Sequence, residues 1–225
     1  MNALAAARFV LRKDLLIELR TKEIVVTTGL FAVLVVVLAS LSFYLDPGTA
    51  PNLAPGALWI AITFAGVLAM GRSWAREREN DAMRGLLLSP IPRSGIYLGK
   101  AAAAFVYLSI IEVLLLPLVA LFFHLDLLPV LGPVVALLVL GTIGFVAAGT
   151  LFSALTVRTG ARDLVLSVVV FPLVTPALLS AVVATRELFG GTPVEELGGW
   201  FRVLVAYDLT FLTAGTLLYD TLMSD

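Results

Sequence analysis

No charged residue interrupts the chain from Ile24 to Leu45. A helix that crosses a bilayer needs roughly 20 predominantly apolar residues, and this run meets that length. Comparable runs recur at about Ala57–Gly71, Ile96–Phe123, Leu127–Val157, Leu164–Thr185 and Trp200–Tyr219. Six spans of this kind use about 120 residues, so a chain of 225 residues keeps only short loops, tails and one polar island. The composition agrees: 60% of residues are hydrophobic and 14% charged, where a soluble domain carries about 25% charge. The fold class expected is an all-α polytopic membrane protein of six transmembrane helices in a single domain, with no length left for a soluble catalytic domain. The absence of cysteine excludes disulfides, thiolate metal sites, thiol redox chemistry and covalent c-type haem attachment.

The lengths and ends of the spans follow from punctuation. Asp46-Pro47-Gly48 ends the first span, and Pro51 and Pro55-Gly56 are expected to hold the next stretch in a loop. The second span is short, with Trp59 expected near one interface and Trp74 near the other. The third and fourth are long enough to tilt or project. Pro117 is expected to kink the third, and Pro172 and Pro176 the fifth. Gly141, Gly144, Ala148 and Gly149 give the fourth a small-residue face. Residues 1–23 combine Leu4, Leu11, Leu15 and Leu19 with interspersed charges, which predicts an imperfectly amphipathic helix at the membrane surface. Acidic residues there, and the long apolar run that follows, argue against a cleavable signal.

Lysine and arginine set the orientation. Alternate connections hold thirteen of them against two: the N-terminal segment, the island from Arg72 to Lys100 and the Arg158–Arg162 turn on one side, Arg186 and Arg202 on the other. Both termini and the island are therefore expected on the cytoplasmic side.

The island carries nine charges: Arg72, Arg76, Glu77, Arg78, Glu79, Asp81, Arg84, Arg93 and Lys100. Trp74 to Leu88 is read as a short coupling helix with Met83, Leu86 and Leu87 on an apolar side. Ser89-Pro90-Ile91-Pro92 stops it, Ser94 caps the next helix, and Lys100 snorkels to the headgroups. A charged helix clamped between two spans is a lever that a soluble partner could grip. The bland alternative is a solvated loop that satisfies the orientation rule.

Catalytic signatures are scarce. Gly95-Ile96-Tyr97-Leu98-Gly99-Lys100-Ala101 lacks the spacing and the Ser/Thr of a phosphate-binding loop, so any ATP that drives this chain is expected on another subunit. His124, the sole histidine, is either an axial haem or metal ligand or an interfacial polar residue beside Asp126. Glu112 and Asp208 lie within spans, where carboxyls are costly and usually face the bundle interior. Each is a structural hydrogen bond, part of a translocation path or a proton site. Tyr207-Asp208 and Tyr219-Asp220 do not make an aspartyl protease pair. Twelve residues along one helix separate them by about 18 Å, and such carboxyls must share a proton.

Arg76-Glu77-Arg78-Glu79 followed by Gly85-Leu86-Leu87-Leu88-Ser89-Pro90 resembles the segment between spans two and three of ABC-2-type permeases. More narrowly, the chain is similar to the CcmB family of the cytochrome c maturation system. Lys13-Asp14-Leu15, Glu18-Leu19-Arg20-Thr21-Lys22-Glu23, Pro55-Gly56-Ala57-Leu58-Trp59 and Ile96-Tyr97-Leu98-Gly99-Lys100 also fit. Many members have a small residue and then a glutamate where this chain has Asp81 and Arg84. The resemblance implies a six-span permease subunit of the bacterial inner membrane, paired as a homodimer and bound to a separate ATPase subunit, CcmA. It further implies CcmC and CcmD as partners in delivering haem to the periplasmic chaperone CcmE. Arg76, Glu77, Arg78, Glu79, Asp81, Met83, Leu86, Leu87 and Pro90 are then the residues expected to face the ATPase. No cofactor is expected on the chain itself: ATP sits on the partner and haem is handled by the complex. Nothing points to nucleic acid. The alternatives are a generic ABC-2-type exporter of lipid, polysaccharide or drug, and a membrane scaffold without transport.

Overall fold

Asn2 starts the first helix by accepting the Ala5 N–H on its side-chain oxygen at 2.9 Å, the usual way to satisfy a free first-turn donor. The computed structural model describes residues 2–42, 49–79, 85, 91–156 and 162–222. Side chains are described for the same residues except 78–79, 154–156, 162–171, 220 and 222. Helix α1 runs Ala3–Thr21 and stops at Lys22, whose left-handed backbone (φ 53°) returns its N–H to the Glu18 carbonyl. The chain then continues as α2 (Glu23–Ser42), α3 (Ala50–Glu79), α4 (Arg93–Phe122), α5 (Leu131–Thr156), α6 (Arg162–Phe189) and α7 (Gly198–Leu222), with short 3₁₀ turns before α5 and α7. All but α1 contain a stretch long and apolar enough to cross a bilayer, six in number among the described residues. The chain is an all-α multi-pass membrane protein.

The second span departs from expectation at both ends. It starts at Ala50, so Pro51 and Pro55 lie inside it rather than in a loop. A first-turn proline forfeits only an N–H that has no helical partner, and Pro55 removes a single internal bond. At the other end α3 continues unbroken to Glu79. The polar stretch from Arg72 to Glu79 is therefore an extension of span two, not part of a separate helix beginning at Trp74. Ser94 also differs from its expected role: Pro92 occupies the N-cap of α4 without a side-chain hydrogen bond.

Helix α5 is the hub, packing against α3, α4, α6 and α7. Its small residues serve two directions rather than one face. Gly141 receives the Trp59 ring and Gly149 the Met70 side chain, both from α3, whereas Gly144 abuts Tyr207 and Asp208 of α7. A side chain at these glycines would overlap those groups. Trp59 is accordingly a core residue, 2% exposed, and its Nε1–H donates to Thr185 Oγ1 at 3.0 Å. The expected interfacial belt role does not hold for it. Tyr97 ties three helices: its hydroxyl lies 3.0 Å from the Ala147 carbonyl and 3.1 Å from that of Phe211. Helix α2 instead turns Leu30, Leu34, Leu38 and Leu41 outward, which suits a lipid-facing span.

Candidate functional site

At the end of the bundle that carries the N-terminal segment and the island, α1 lies against α4. The approach is close because both partners are small. A Cβ on Gly95 would sit 2.7 Å from the Ala3 carbonyl oxygen, and one on Gly99 would sit 2.7 Å from that of Ala7. Gly95 and Gly99 are four apart and so share a face of α4, the small-xxx-small arrangement that lets backbones touch. The buried line of α1 is Ala6, Val10, Asp14 and Glu18. Leu4 and Leu19, expected on the membrane-binding apolar side, are indeed outward, but Leu11 and Leu15 are half-buried against Ile24, Ala69, Ala103 and Tyr107. The inner face is thus small and then acidic, not leucine-rich.

The acidic half of that face organises the site. Lys100 of α4, 3% exposed, stands 2.5 Å from Glu77 Oε1 and 2.8 Å from Asp14 Oδ2. Lys13 donates to Glu77 Oε1 and lies 3.2 Å from Asp14 Oδ1. The Lys100 ammonium also lies 5.7 Å from the Trp74 ring centroid, within cation–π range. One turn nearer the spans, Arg76 pairs with Glu18 (3.3 Å) and Glu23 (3.2 Å), and Arg72 pairs with Glu23 at 2.9 Å. The other Glu18 oxygen accepts the Val25 N–H at 2.9 Å, satisfying a free donor at the start of α2. Lys13, Arg72, Arg76 and Lys100 therefore meet Asp14, Glu18, Glu23 and Glu77 in a neutral network linking α1, α2, α3 and α4. A cleft of about 330 Å³ opens beside the network, lined by Lys13, Asp14, Ser73, Arg76, Glu77 and Lys100 together with Ile17 and Tyr107. Burial opposes the charge on Lys13, but the Asp14 charge and the bonds to Glu77 and Asp14 outweigh it, so its pKa lies above the ordinary lysine value.

This geometry redraws the expected coupling set. Glu77 is turned inward: its side chain is 6% exposed and engaged from within the chain. Arg76 is likewise turned toward α1, with its side chain 20% exposed. Lys100 does not reach toward headgroups but is buried among carboxylates. Trp74 is buried as its neighbour rather than anchored at a membrane surface. Arg78 and Glu79 close α3 without described side chains, and Asp81, Met83, Leu86, Leu87 and Pro90 lie outside the described residues.

The two intramembrane carboxyls both face inward. Glu112, 5% exposed, accepts a hydrogen bond from Thr142 of α5. Asp208, also 5% exposed, sits against Gly144 with neither oxygen hydrogen-bonded among the described residues. Thr142 and Gly144 are two residues apart, so the carboxyls meet α5 about 3 Å apart in height and on nearly opposite sides. The structure does not bring them together. His124 is exposed in a left-handed conformation (φ 54°) and ends α4, with the following Leu125 N–H returning to the Ala120 carbonyl at 3.0 Å. That is the bonding of a Schellman close.

The residues missed by sequence reasoning are Asp14, Glu18, Gly95 and Gly99. Their signal was present in the four-residue spacing of each pair and in the run Ala5-Ala6-Ala7, which together describe two helices in close contact. The charges drew attention to orientation instead.

Comparison with known proteins bears on the whole chain. The family model described as CcmB protein matches residues 5–220. A protein of Bradyrhizobium diazoefficiens named heme exporter protein B is 28% identical over 96% of this chain and 94% of its own length. Proteins of the same name from Paracoccus denitrificans and Pseudomonas aeruginosa are each 31% identical. They cover 68% and 71% of this chain, and 70% and 71% of their own lengths. With the six spans and the charged junction at one end, these matches establish that the chain belongs to the CcmB protein family.

Proposed function

We propose that this chain is the membrane-spanning subunit of a haem-exporting ABC transporter in the bacterial inner membrane, working through a separate ATP-hydrolysing subunit. A relative named heme exporter protein B that matches nearly the full length of the chain, and others of that name over about two thirds of it, support the haem-export part. The observation that carries the coupling part is the ionic junction. The segment between Glu79 and Arg93 is gripped at its two roots by one network: Arg76 and Glu77 before it, Lys100 after it. A push on that segment is delivered to spans two and three as a unit, and through Asp14, Glu18 and Glu23 to α1 and span one. In this reading the ATPase subunit, CcmA, contacts Asp81, Met83, Leu86, Leu87 and Pro90. Arg76, Glu77 and Lys100 transmit the motion rather than touch the partner.

Both termini and the junction lie on the cytoplasmic side, as the distribution of thirteen basic residues against two indicates. The chain works as a homodimer, with CcmC, CcmD and the periplasmic chaperone CcmE as the proteins that handle haem beside it. Its own part is mechanical: it uses ATP turnover on CcmA to drive haem export or to release the loaded chaperone.

The test is co-purification of the intact chain from detergent, compared with Leu86→Glu/Leu87→Glu and with Glu77→Gln. The native chain should bring down an ATPase and haem-handling proteins. The double glutamate variant should lose the ATPase. The Glu77→Gln variant should retain it while its stimulated ATP turnover falls. Retention of the ATPase by the double variant, with normal turnover, would remove the segment from the coupling path.

A further inference from the structure

The first 23 residues hold five basic and three acidic side chains, which look intermixed along the chain. The fold separates them. Asp14, Glu18 and Glu23 are all engaged by cations of the junction, and Lys13 joins them there. Arg8, Arg12 and Arg20 point outward from α1, Lys22 sits at the joint between α1 and α2, and all four are exposed. None has an ion-pair partner among the described residues. The surface they occupy is not only charged. Leu4, Phe9, Leu16 and Leu19 lie among the arginines and are 75%, 56%, 46% and 71% exposed. At about 100° per residue these side chains fall on the half of the helix opposite the Ala6–Val10–Asp14–Glu18 line.

Next to Lys22 is a groove of about 180 Å³ walled by Leu15, Leu19, Val25, Val26, Tyr107 and Ile110. Glu18 also borders it, but its oxygens are held by Arg76 and the Val25 N–H. Val25 and Val26 form the first turn of a span, so the mouth of the groove lies where that span leaves the hydrocarbon. An apolar slot at that depth, topped by an ammonium with no ion-pair partner among the described residues and flanked by arginines among leucines, matches a molecule with an acyl chain below and a negative charge above. The depth of the slot, beside the first turn of a span, favours a lipid over the acidic face of a soluble protein.

We propose that the outward face of α1 and the Lys22 joint form a docking site for anionic phospholipid. One acyl chain lies in the groove, and the headgroup phosphate sits on Lys22 and Arg20. Arg8 and Arg12 extend the same attraction along the helix. The proposal rests on the membrane placement of the chain and stands independently of the coupling to ATP.

The experiment is native mass spectrometry of the purified full chain in an equal mixture of phosphatidylglycerol and phosphatidylcholine. The native chain should retain phosphatidylglycerol preferentially. Lys22→Gln and Arg20→Gln should each lower the retained ratio roughly fivefold, the worth of one basic residue at a membrane surface. Lys22→Arg should restore it, which a merely structural lysine would not permit. Ile110→Trp fills the groove and should lower retention of both lipids without changing their ratio. All these positions are outward, so unfolding temperatures in phosphatidylcholine alone should match the native chain. A native chain without preference overturns the proposal, as does a ratio unchanged by replacing Arg8, Arg12, Arg20 and Lys22 together with glutamine, or failure of Lys22→Arg to rescue.

Discussion

Lys100→Met isolates the energetic core of the junction. Methionine keeps most of the volume of lysine and removes the charge. In the native chain two ammonium groups, Lys13 and Lys100, face two carboxylates, Asp14 and Glu77, and three of the four side chains are no more than 6% exposed. The substitution leaves two buried carboxylates facing the single charge of Lys13. Breaking a buried ion pair by removing one partner costs about 3–5 kcal/mol. Lys13 still engages both carboxylates, which places the cost near about 3 kcal/mol. For a chain of this size each kcal/mol moves the midpoint by about 2–4 °C, so a drop of about 6–12 °C is expected. The assay is thermal unfolding of purified protein in detergent, followed by tryptophan fluorescence, since Trp74 reports directly from beside Lys100. Lys100→Met/Glu77→Gln then restores the balance, with Asp14 and Lys13 still paired. It should recover most of the loss, because a buried pair replaced by neutral groups is often nearly neutral in stability. The cycle should show a coupling of about 2 kcal/mol. A Lys100→Met midpoint within 2 °C of native, or a double variant no better than the single one, would refute the claim that this cluster holds α1, α3 and α4 together.

Alkaline titration should weaken the same junction. The Lys13 pKa is raised above its ordinary value of 10.5, so its contribution is complete below that pH and is lost as pH rises through the elevated folded value. The unfolding midpoint should begin to fall once pH passes 10.5 and level off past the elevated folded value, and Lys13→Met should flatten that part of the fall when midpoints are compared across buffers. Gly99→Ala places a methyl group against the Ala7 carbonyl and Val10. Backbone cannot yield cheaply, so a loss of about 1–3 kcal/mol and faster proteolytic clipping within residues 3–21 are expected. Glu112→Gln keeps a partner for the buried Thr142 hydroxyl and should be near neutral. Glu112→Leu should cost about 0.6–1.7 kcal/mol, the range of interhelical hydrogen bonds in membranes, read from the same unfolding curves.

Span number and approximate placement were legible because hydrophobic length is a strong constraint that few other structures satisfy. The apolar run that starts at Ile24 became α2, described over Glu23–Ser42, and Ile96–Phe123 became α4 with only its ends adjusted. Errors arose where two local rules conflicted. Pro51 and Pro55 read as loop residues, yet near a helix start their missing N–H groups cost little, and the apolar core around Ala54, Ala57 and Leu58 rewards the longer helix. Arg76 and Glu77 read as a partner-facing surface, and Lys100 as a headgroup contact, because charge along a sequence carries no sign of its partners. Their partners lie far off in the chain, at Lys13, Asp14 and Glu18. Only the third dimension turns a list of exposed-looking charges into a closed network. The glycine pair at 95 and 99 was visible, but as a failed phosphate loop. Its meaning required knowing that an alanine-rich helix passes in front of it.

In the proposed coupling role, ions at this junction offer something that apolar packing does not. Leucines in place of Asp14, Glu77 and Lys100 could stabilise the contact as well or better, since buried pairs seldom outperform apolar packing. Apolar contacts, however, are non-directional, so leucines could repack after a small shift of α1 along α4 with less loss than ion pairs. The ionic arrangement resists this. A shift of one residue along α1 rotates its side chains by about 100°, carrying Asp14 away from Lys100 and Glu18 away from both Arg76 and the Val25 N–H. The two glycine contacts forbid the same movement sterically. Register is therefore specified twice at the place where the polar segment joins spans two and three. A lever with a slipping root transmits little. On the proposed coupling reading, a root held in one register is what such a lever needs.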